Sequence, residues 1–360
     1  MTGNGDIAAG ARNLLTNCAG IEPGQRLLII QENPDLGWYD AQAPIAVAAE
    51  ARKLGLAPDM LEVGAPGNEP AIGVETAVAA HDVIVFFSRL GDQDRFAEPV
   101  PGKTLVMSYA RDAATLASVY GRTNHQAFVD LKEAVNDILL GAGTIDIRCP
   151  LGTAISGSIA GTAKAARADV SVRRFPLGVP QPVRASGFSG RVAVAHYLTP
   201  TGSKVYEPAY LNIGQPVFAE VASGRITGFT GDHGEVERIG AHYENISAQF
   251  GIDGGAIHSW HAGIHPGCFF PGDASRDPDI WSNTIFGNPR FAHFHTCGDY
   301  APGEICWMVL DPTITVDGRI LWDNGRLRAD GFGRSRRCLE EWPELVALFA
   351  NPSDQTGLPA

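Results

Sequence analysis

Pro23-Gly24-Gln25-Arg26-Leu27-Leu28-Ile29-Ile30 leads straight into Gln31-Glu32-Asn33-Pro34-Asp35-Leu36-Gly37. The Pro-Gly pair is a turn, and the apolar run after it is too short for a surface helix and too continuous for a half-exposed strand. It reads as a buried strand of a sheet covered on both faces. The loop that follows is acidic and carries no GxGxxG, so the backbone cradle for a dinucleotide pyrophosphate is missing where that chemistry would need it.

Working outward, the same grammar repeats. Ala41 to Leu54 is alanine-rich and helical, closed by Gly55. Met60-Leu61-Glu62-Val63 is a second strand, Val83-Ile84-Val85-Phe86-Phe87 a third and Thr104-Leu105-Val106-Met107 a fourth. Helices are predicted at Ala71 to Ala80, Ala113 to Val119 and His125 to Leu140. Apolar strands alternating with helices specify a parallel α/β sheet. Residues 1–144 are therefore expected to form a Rossmann-like domain without the usual cofactor.

From Thr144 the texture changes. Ile145-Asp146-Ile147-Arg148, Val192-Ala193-Val194-Ala195 and Val217-Phe218-Ala219-Glu220-Val221 read as strands among Gly, Pro, Ser and Thr turns. Ala222-Ser223-Gly224-Arg225-Ile226-Thr227-Gly228 reads as a hairpin connection. Gly234 to Phe250 and Ser335 to Phe349 are each expected as one helix. Residues 145–360 are thus a mainly β domain.

The chain has 360 residues, 44% hydrophobic and 19% charged, which is globular composition sized for two domains. Its net charge of −12 argues against nucleic acid or an anionic membrane as partner. Six cysteines with no CxxC pair read as free thiols in a reducing compartment. MTGNGDIAAGARNLL lacks the basic start and apolar run of a signal peptide, and no stretch of about 18 uninterrupted apolar residues occurs. A cytoplasmic protein is expected.

Half of the ten histidines fall between His258 and His295. Imidazole is the commonest ligand for zinc, manganese and iron, and two segments can converge on one ion. His293 and His295 share a face if their segment is a strand. His258, His261 and His265 have helical spacing, but Gly263 and Pro266 favour a strand or loop, so not all three are expected to bind. A mononuclear centre commonly adds a carboxylate; Glu304 and Asp299 are the nearest, Asp311 and Glu220 more distant. Cys297 and Cys306 are either soft donors or nucleophiles, or buried small hydrophobes, the reading their spacing favours. Arg148, Arg184 and Arg290 are candidates to clamp a substrate carboxylate. No GxSxG, P-loop or HExxH occurs.

In order of elements the chain resembles the aminopeptidase T-like metallopeptidase superfamily, whose single-metal members include a 5-nitroanthranilate aminohydrolase and a 2,5-dihydroxypyridine dioxygenase. Ile21-Glu22-Pro23-Gly24-Gln25-Arg26-Leu27-Leu28-Ile29 is similar to its first turn and strand. Asp146-Ile147-Arg148-Cys149-Pro150-Leu151-Gly152-Thr153 is similar to its domain-crossing R-x-x-x-x-G-T-D segment, with Ala154 in place of the aspartate. His261-Ala262-Gly263-Ile264 resembles the E/H-[LI]-G-[IW] motif, whose first residue is a metal ligand. The family's late H-x-D pair, counted back from Val316-Asp317-Gly318, reads as Cys306 and Met308. The first glutamate of the peptidases is not evident, Gln215 standing near its place.

The resemblance implies a mononuclear branch binding one divalent transition metal (Mn, Fe or Zn). His261, His293, His295 and Glu304 are the expected ligands, with Glu304 alternatively the general base. His258 or His265 is expected to move a proton, and Arg148 or Arg290 to hold a small aromatic or heterocyclic carboxylate. The leading expectation is a hydrolase that removes an amine or cleaves an amide. The alternatives are a nonhaem Fe(II) ring-cleaving dioxygenase and a non-catalytic binding protein derived from the same fold. A homo-oligomer is implied by the resemblance alone.

Overall fold

The computed structural model describes residues 4–159 and 170–359. By packing, the chain falls into two compact units, residues 1–129 with 170–178, and residues 130–169 with 179–360. The sequence reading placed one boundary between residues 144 and 145. The structure divides the chain within the helix His125–Leu140 and returns it to the first unit for one further strand, Arg173–Phe175.

The first unit holds a five-stranded sheet in the order Asp59–Val63, Leu27–Glu32, Val83–Phe87, Thr104–Ser108, Arg173–Phe175. All four pairings are parallel. Leu27, Leu28, Ile29 and Ile30 are buried, as are all five residues of Val83–Phe87. This is what helices on both faces require of central strands. The helix Gln42–Lys53 buries Ala43, Val47, Ala48 and Ala51 at helical spacing, and its alanines let it lie close to the sheet. The expected helix over Ala113 to Val119 is broken in two, because Ser118 is extended and its hydroxyl accepts the Tyr120 and Gly121 N–H groups to start a new turn.

Where the parallel strands end, the acidic loop is occupied by the protein itself. Glu32 is 1% exposed and accepts from the backbone N–H and the side chain of Arg89. The Arg89 and Arg111 guanidinium carbons lie 4.2 and 4.9 Å from the Trp38 ring centroid.

The second unit is built on a twelve-stranded antiparallel sheet among the described residues. Its spine runs from Arg326–Leu327 through Arg319–Asp323, Thr313–Val316, Ile145–Arg148, Ala154–Gly157, Phe188–Pro200, Ile305–Leu310, Phe291–Thr296 and Ile257–Ala262 to Val183–Arg184. Leu211–Ala222 pairs with Phe188–Pro200 and with Arg225–Thr230, and the expected hairpin turns at Ser223 and Gly224, both with positive φ. The helix His233–Phe250 packs on this hairpin. The closing segment is two helices rather than one, Gly333–Glu341 and Pro343–Ala350. Proline at 343 forces Trp342 out of helical geometry, so a single helix could not continue.

Two neighbouring strands, Ile257–Ala262 and Phe291–Thr296, are buried at each position, and a third, Ile305–Leu310, at every position but Leu310. Register pairs Trp260 with Phe294 and Phe294 with Trp307 on one face. Ring centroids there are 6.3 and 6.0 Å apart. This aromatic ladder fixes the register, because a one-residue slip would turn it to the other side. No helix among the described residues is long and apolar enough to cross a membrane.

Candidate metal centre

The opposite face of those three strands carries the histidines. His261 pairs with His293, and His293 with Met308. Ser259 pairs with His295, and His295 with Cys306. Cross-strand partners project from the same face, so the aromatic ladder and the histidine cluster are two consequences of one alternation.

His261, His293 and His295 each offer a ring nitrogen, and these atoms lie within 4.8 Å of one another. Ring centroids are 4.1 Å apart for His261 and His293, 5.2 Å for His261 and His295, and 5.1 Å for His293 and His295. All three side chains are buried, at 5%, 2% and 5% exposure.

The tautomer of His261 follows from its partner. Its Nδ1 lies 3.0 Å from the Pro180 carbonyl oxygen. A carbonyl only accepts, so Nδ1 carries the proton and Nε2 presents a lone pair. That lone pair meets His295 Nε2 at 3.2 Å. Without an ion the contact requires a shared proton between two nitrogens. With nitrogens at about 2.0–2.1 Å from a common ion, neighbouring ligands are about 2.8–3.0 Å apart in octahedral and about 3.3–3.4 Å apart in tetrahedral geometry, which brackets this contact. The donor chemistry, the spacing and a carbonyl anchoring the far nitrogen of His261 all fit a divalent transition metal. Phe286 stacks on His293 with centroids 4.0 Å apart and planes at 15°, which limits rotation of that ring.

The structure does not bring the other expected site residues into this group. Glu304 lies just ahead of strand Ile305–Leu310, fully buried, and its carboxylate has other partners. Ser203 Oγ donates to Oε1 at 2.7 Å, the Tyr300 hydroxyl donates to the same oxygen, and Lys204 Nζ is 4.0 Å away. Burial raises the Glu304 carboxyl pKa above its ordinary value, against the pull of the Ser203 and Tyr300 hydroxyls. Sequence alone could not foresee Ser203 and Lys204, which lie about a hundred positions upstream, whereas Tyr300 stands only four residues before Glu304.

His258 sits on the same strand as His261, yet its Nε2 lies 3.2 Å from Arg184 Nη1 and its Nδ1 2.9 Å from Ser259 Oγ. The guanidinium can only donate, so His258 donates from Nδ1 to the serine. Burial, reinforced by the Arg184 charge, pushes its pKa down to about 4. His265 lies beyond the strand, where its Nδ1 accepts the Gly267 N–H at 3.1 Å, which leaves the neutral ring protonated on Nε2.

Arg290, expected to grip a carboxylate, already forks onto Asp311, with Nε–Oδ1 at 2.6 Å and Nη2–Oδ2 at 2.7 Å. The pair borders a cavity of about 220 Å³ lined also by Asn324, Arg326 and Phe349. Arg148 ends the strand Ile145–Arg148 and is exposed. Cys297 and Cys306 are buried and in no disulfide, and burial with the nearby Glu304 pushes the Cys297 thiol up to about 12, which makes it a poor nucleophile. Pro180 and Phe286 had no signal in the sequence, since one acts through its backbone and the other by stacking.

No family model matches the chain, and no curated protein matches it by sequence. Among solved structures it is similar to 2,5-dihydroxypyridine dioxygenase from Pseudomonas putida KT2440, at 13% identity and a TM-score of 0.61, covering 93% of this chain and 99% of that one. It is also similar to AmpT from Thermus thermophilus, at 11% identity and a TM-score of 0.50, covering 90% and 99%. At these identities the likeness is one of fold, and it spans both units.

Proposed function

We propose that the chain is a mononuclear metal-dependent hydrolase that removes an amine from, or cleaves an amide of, a small aromatic or heterocyclic carboxylate. The donor set supports this reading: three buried imidazoles and no carboxylate within the group. Neutral ligands leave the ion's charge uncompensated, and three-histidine sites keep a position open for water. When bound, the ion supplies Lewis acidity and lowers the pKa of water toward about 7. The Pro180 carbonyl holds His261 in its ligating tautomer, and Phe286 holds His293. His265, protonated on Nε2 when neutral, is assigned to proton transfer toward the leaving group; His258, with its pKa near 4, is poorly matched to that task near neutral pH. With Arg290 committed to Asp311, Arg148 is left to orient a substrate carboxylate. A homo-oligomer belongs to the same reading by the resemblance, and a cytoplasmic location by the scattered cysteine pattern and the N-terminal sequence.

A second reading, a nonhaem Fe(II) ring-cleaving dioxygenase, is favoured by the similarity along 99% of a dioxygenase chain. It is disfavoured by the lack of a carboxylate in the histidine group, since such sites commonly pair two histidines with one acid. The metal-loaded chain is to be offered aminated and hydroxylated aromatic carboxylates under argon and in air. Ammonia or amine release that is equal in both supports the hydrolase. Turnover that stops under argon, with one oxygen taken up per substrate, overturns it in favour of the dioxygenase.

A further inference from the structure

We infer that the cavity beside the Arg290–Asp311 pair is a binding site for a small apolar α-amino acid in its zwitterionic form. Arg326 takes its carboxylate and Asp354 its ammonium group. The site is separate from the metal centre, and the inference does not depend on that reading. None of the three clustered histidines lines the cavity. Arg290 stands just ahead of the strand Phe291–Thr296, about 10 Å from His293 at the rise of an extended chain.

Four charged residues border the cavity, and two of them cancel each other. Arg290 and Asp311 are joined by two hydrogen bonds. Arg326 and Asp354 are exposed, and neither side chain has a hydrogen bond or an ion pair among the described residues. Asp354 acts on Arg290 only as a charge through space. One unpaired surface charge is ordinary. A cation and an anion that border the same cavity without closing on each other leave a gap of matched polarity. A carboxylate accepts two parallel bonds from a guanidinium, and an ammonium group donates to a carboxylate. A ligand that carries both groups at short separation satisfies both side chains at once.

The backbone holds the two charges in place. Asp323 pairs with Arg326 across the turn Asn324-Gly325, in which both residues have positive φ. A Cβ on Gly325 would come 2.6 Å from Asp311 Oδ1 and 3.1 Å from the Arg290 Cα, so glycine lets this turn close over the ion pair. Asp354 sits between two anchored residues. The Ser353 N–H donates to the Pro266 carbonyl at 2.8 Å, and the Gln355 carbonyl accepts the Phe270 N–H at 2.8 Å. Groups on an anchored backbone lose less freedom when a ligand arrives.

The remaining lining includes Pro289, Leu327, Phe349 and Pro352, which suits an aliphatic or aromatic side chain. At about 220 Å³ the cavity is smaller than the roughly 300–1,000 Å³ of pockets for drug-sized molecules, so its occupant is a single amino acid rather than a peptide.

The test titrates the full chain, loaded with Zn(II), with L-leucine and L-phenylalanine by calorimetry. N-acetyl-L-leucine, without the ammonium charge, and L-leucinamide, without the carboxylate, are titrated beside them. Leucine or phenylalanine is expected to bind at one site, and each blocked analogue of leucine about tenfold more weakly or worse. Arg326→Ala should remove the discrimination against leucinamide, and Asp354→Asn that against N-acetyl-leucine, each weakening leucine by about tenfold. Both side chains are exposed and unpartnered, so these substitutions leave the fold intact. A blocked analogue that binds as tightly as leucine overturns the inference. So does leucine binding equal to wild type in either variant, the result expected of an amino acid chelated to the ion instead. Absence of binding by both amino acids up to about 10 mM also overturns it.

Discussion

His261 Nε2 and His295 Nε2 face one another 3.2 Å apart across two antiparallel strands. The pair is held apart from the aromatic core only by the alternation of the strand, with His293 completing the group and Phe286 stacked on it. Phe286 therefore positions a ligand without touching an ion. Phe286→Leu is expected to weaken metal affinity by roughly tenfold, with saturating stoichiometry unchanged, as outer contacts of metal ligands do. Calorimetric titration checks this; an affinity equal to wild type contradicts the positioning role.

Glu304 separates a structural from a ligating carboxylate. Its contacts with Ser203, Tyr300 and Lys204 predict that Glu304→Ala costs about 2 kcal/mol, because two hydroxyls lose their acceptor and Lys204 a nearby counter-charge. Metal stoichiometry should be unchanged. Chemical denaturation and elemental analysis on the same preparation decide it, and loss of the metal with unchanged stability would reverse the assignment.

For Arg290, committed to Asp311 by two hydrogen bonds, the expected effect is on stability rather than on substrate. Arg290→Ala should cost on the order of 1 kcal/mol, since the pair is partly exposed. KM for an aromatic carboxylate should move less than about twofold. A KM raised tenfold or more, at wild-type stability, would return this arginine to the substrate.

Acid should destabilise the second unit through His242. Burial lowers its pKa from 6.5 to about 4, so the native state resists a proton that the unfolded chain accepts. Stability is then fully present above pH 6.5 and falls as pH drops toward 4. Between pH 7 and 5 the loss attributable to this residue is about 2 kcal/mol. His242→Phe should flatten that part of the profile in urea titrations; an unchanged slope contradicts the buried neutral state.

Much of this architecture was legible in the sequence, for identifiable reasons. Leu27 to Ile30 and Val83 to Phe87 are short continuous apolar runs, His125 to Leu140 is a longer helical stretch, and the structure has elements at each. The strand Arg173–Phe175 was not legible: three residues, two of them arginines, have no periodic signal, and only the neighbouring strand Thr104–Ser108 makes them a sheet edge. At the centre, HxH spacing on a strand placed His293 and His295 together, and a motif singled out His261. Sequence could not place Glu304 or Arg290, because a carboxylate or guanidinium is read by its partner, and Ser203, Tyr300 and Asp311 become partners only on folding.

The central claim is that these three histidines hold one ion. Elemental analysis of the full chain after loading with Zn(II), Mn(II) or Fe(II) and desalting tests it most directly, run beside His261→Ala, His293→Ala and His295→Ala. The expected result is about one ion per wild-type chain, as a mononuclear site requires, and affinity in each variant lower by roughly a hundredfold or more. A wild-type chain that retains no ion, or variants that retain it as tightly as wild type, would contradict the account.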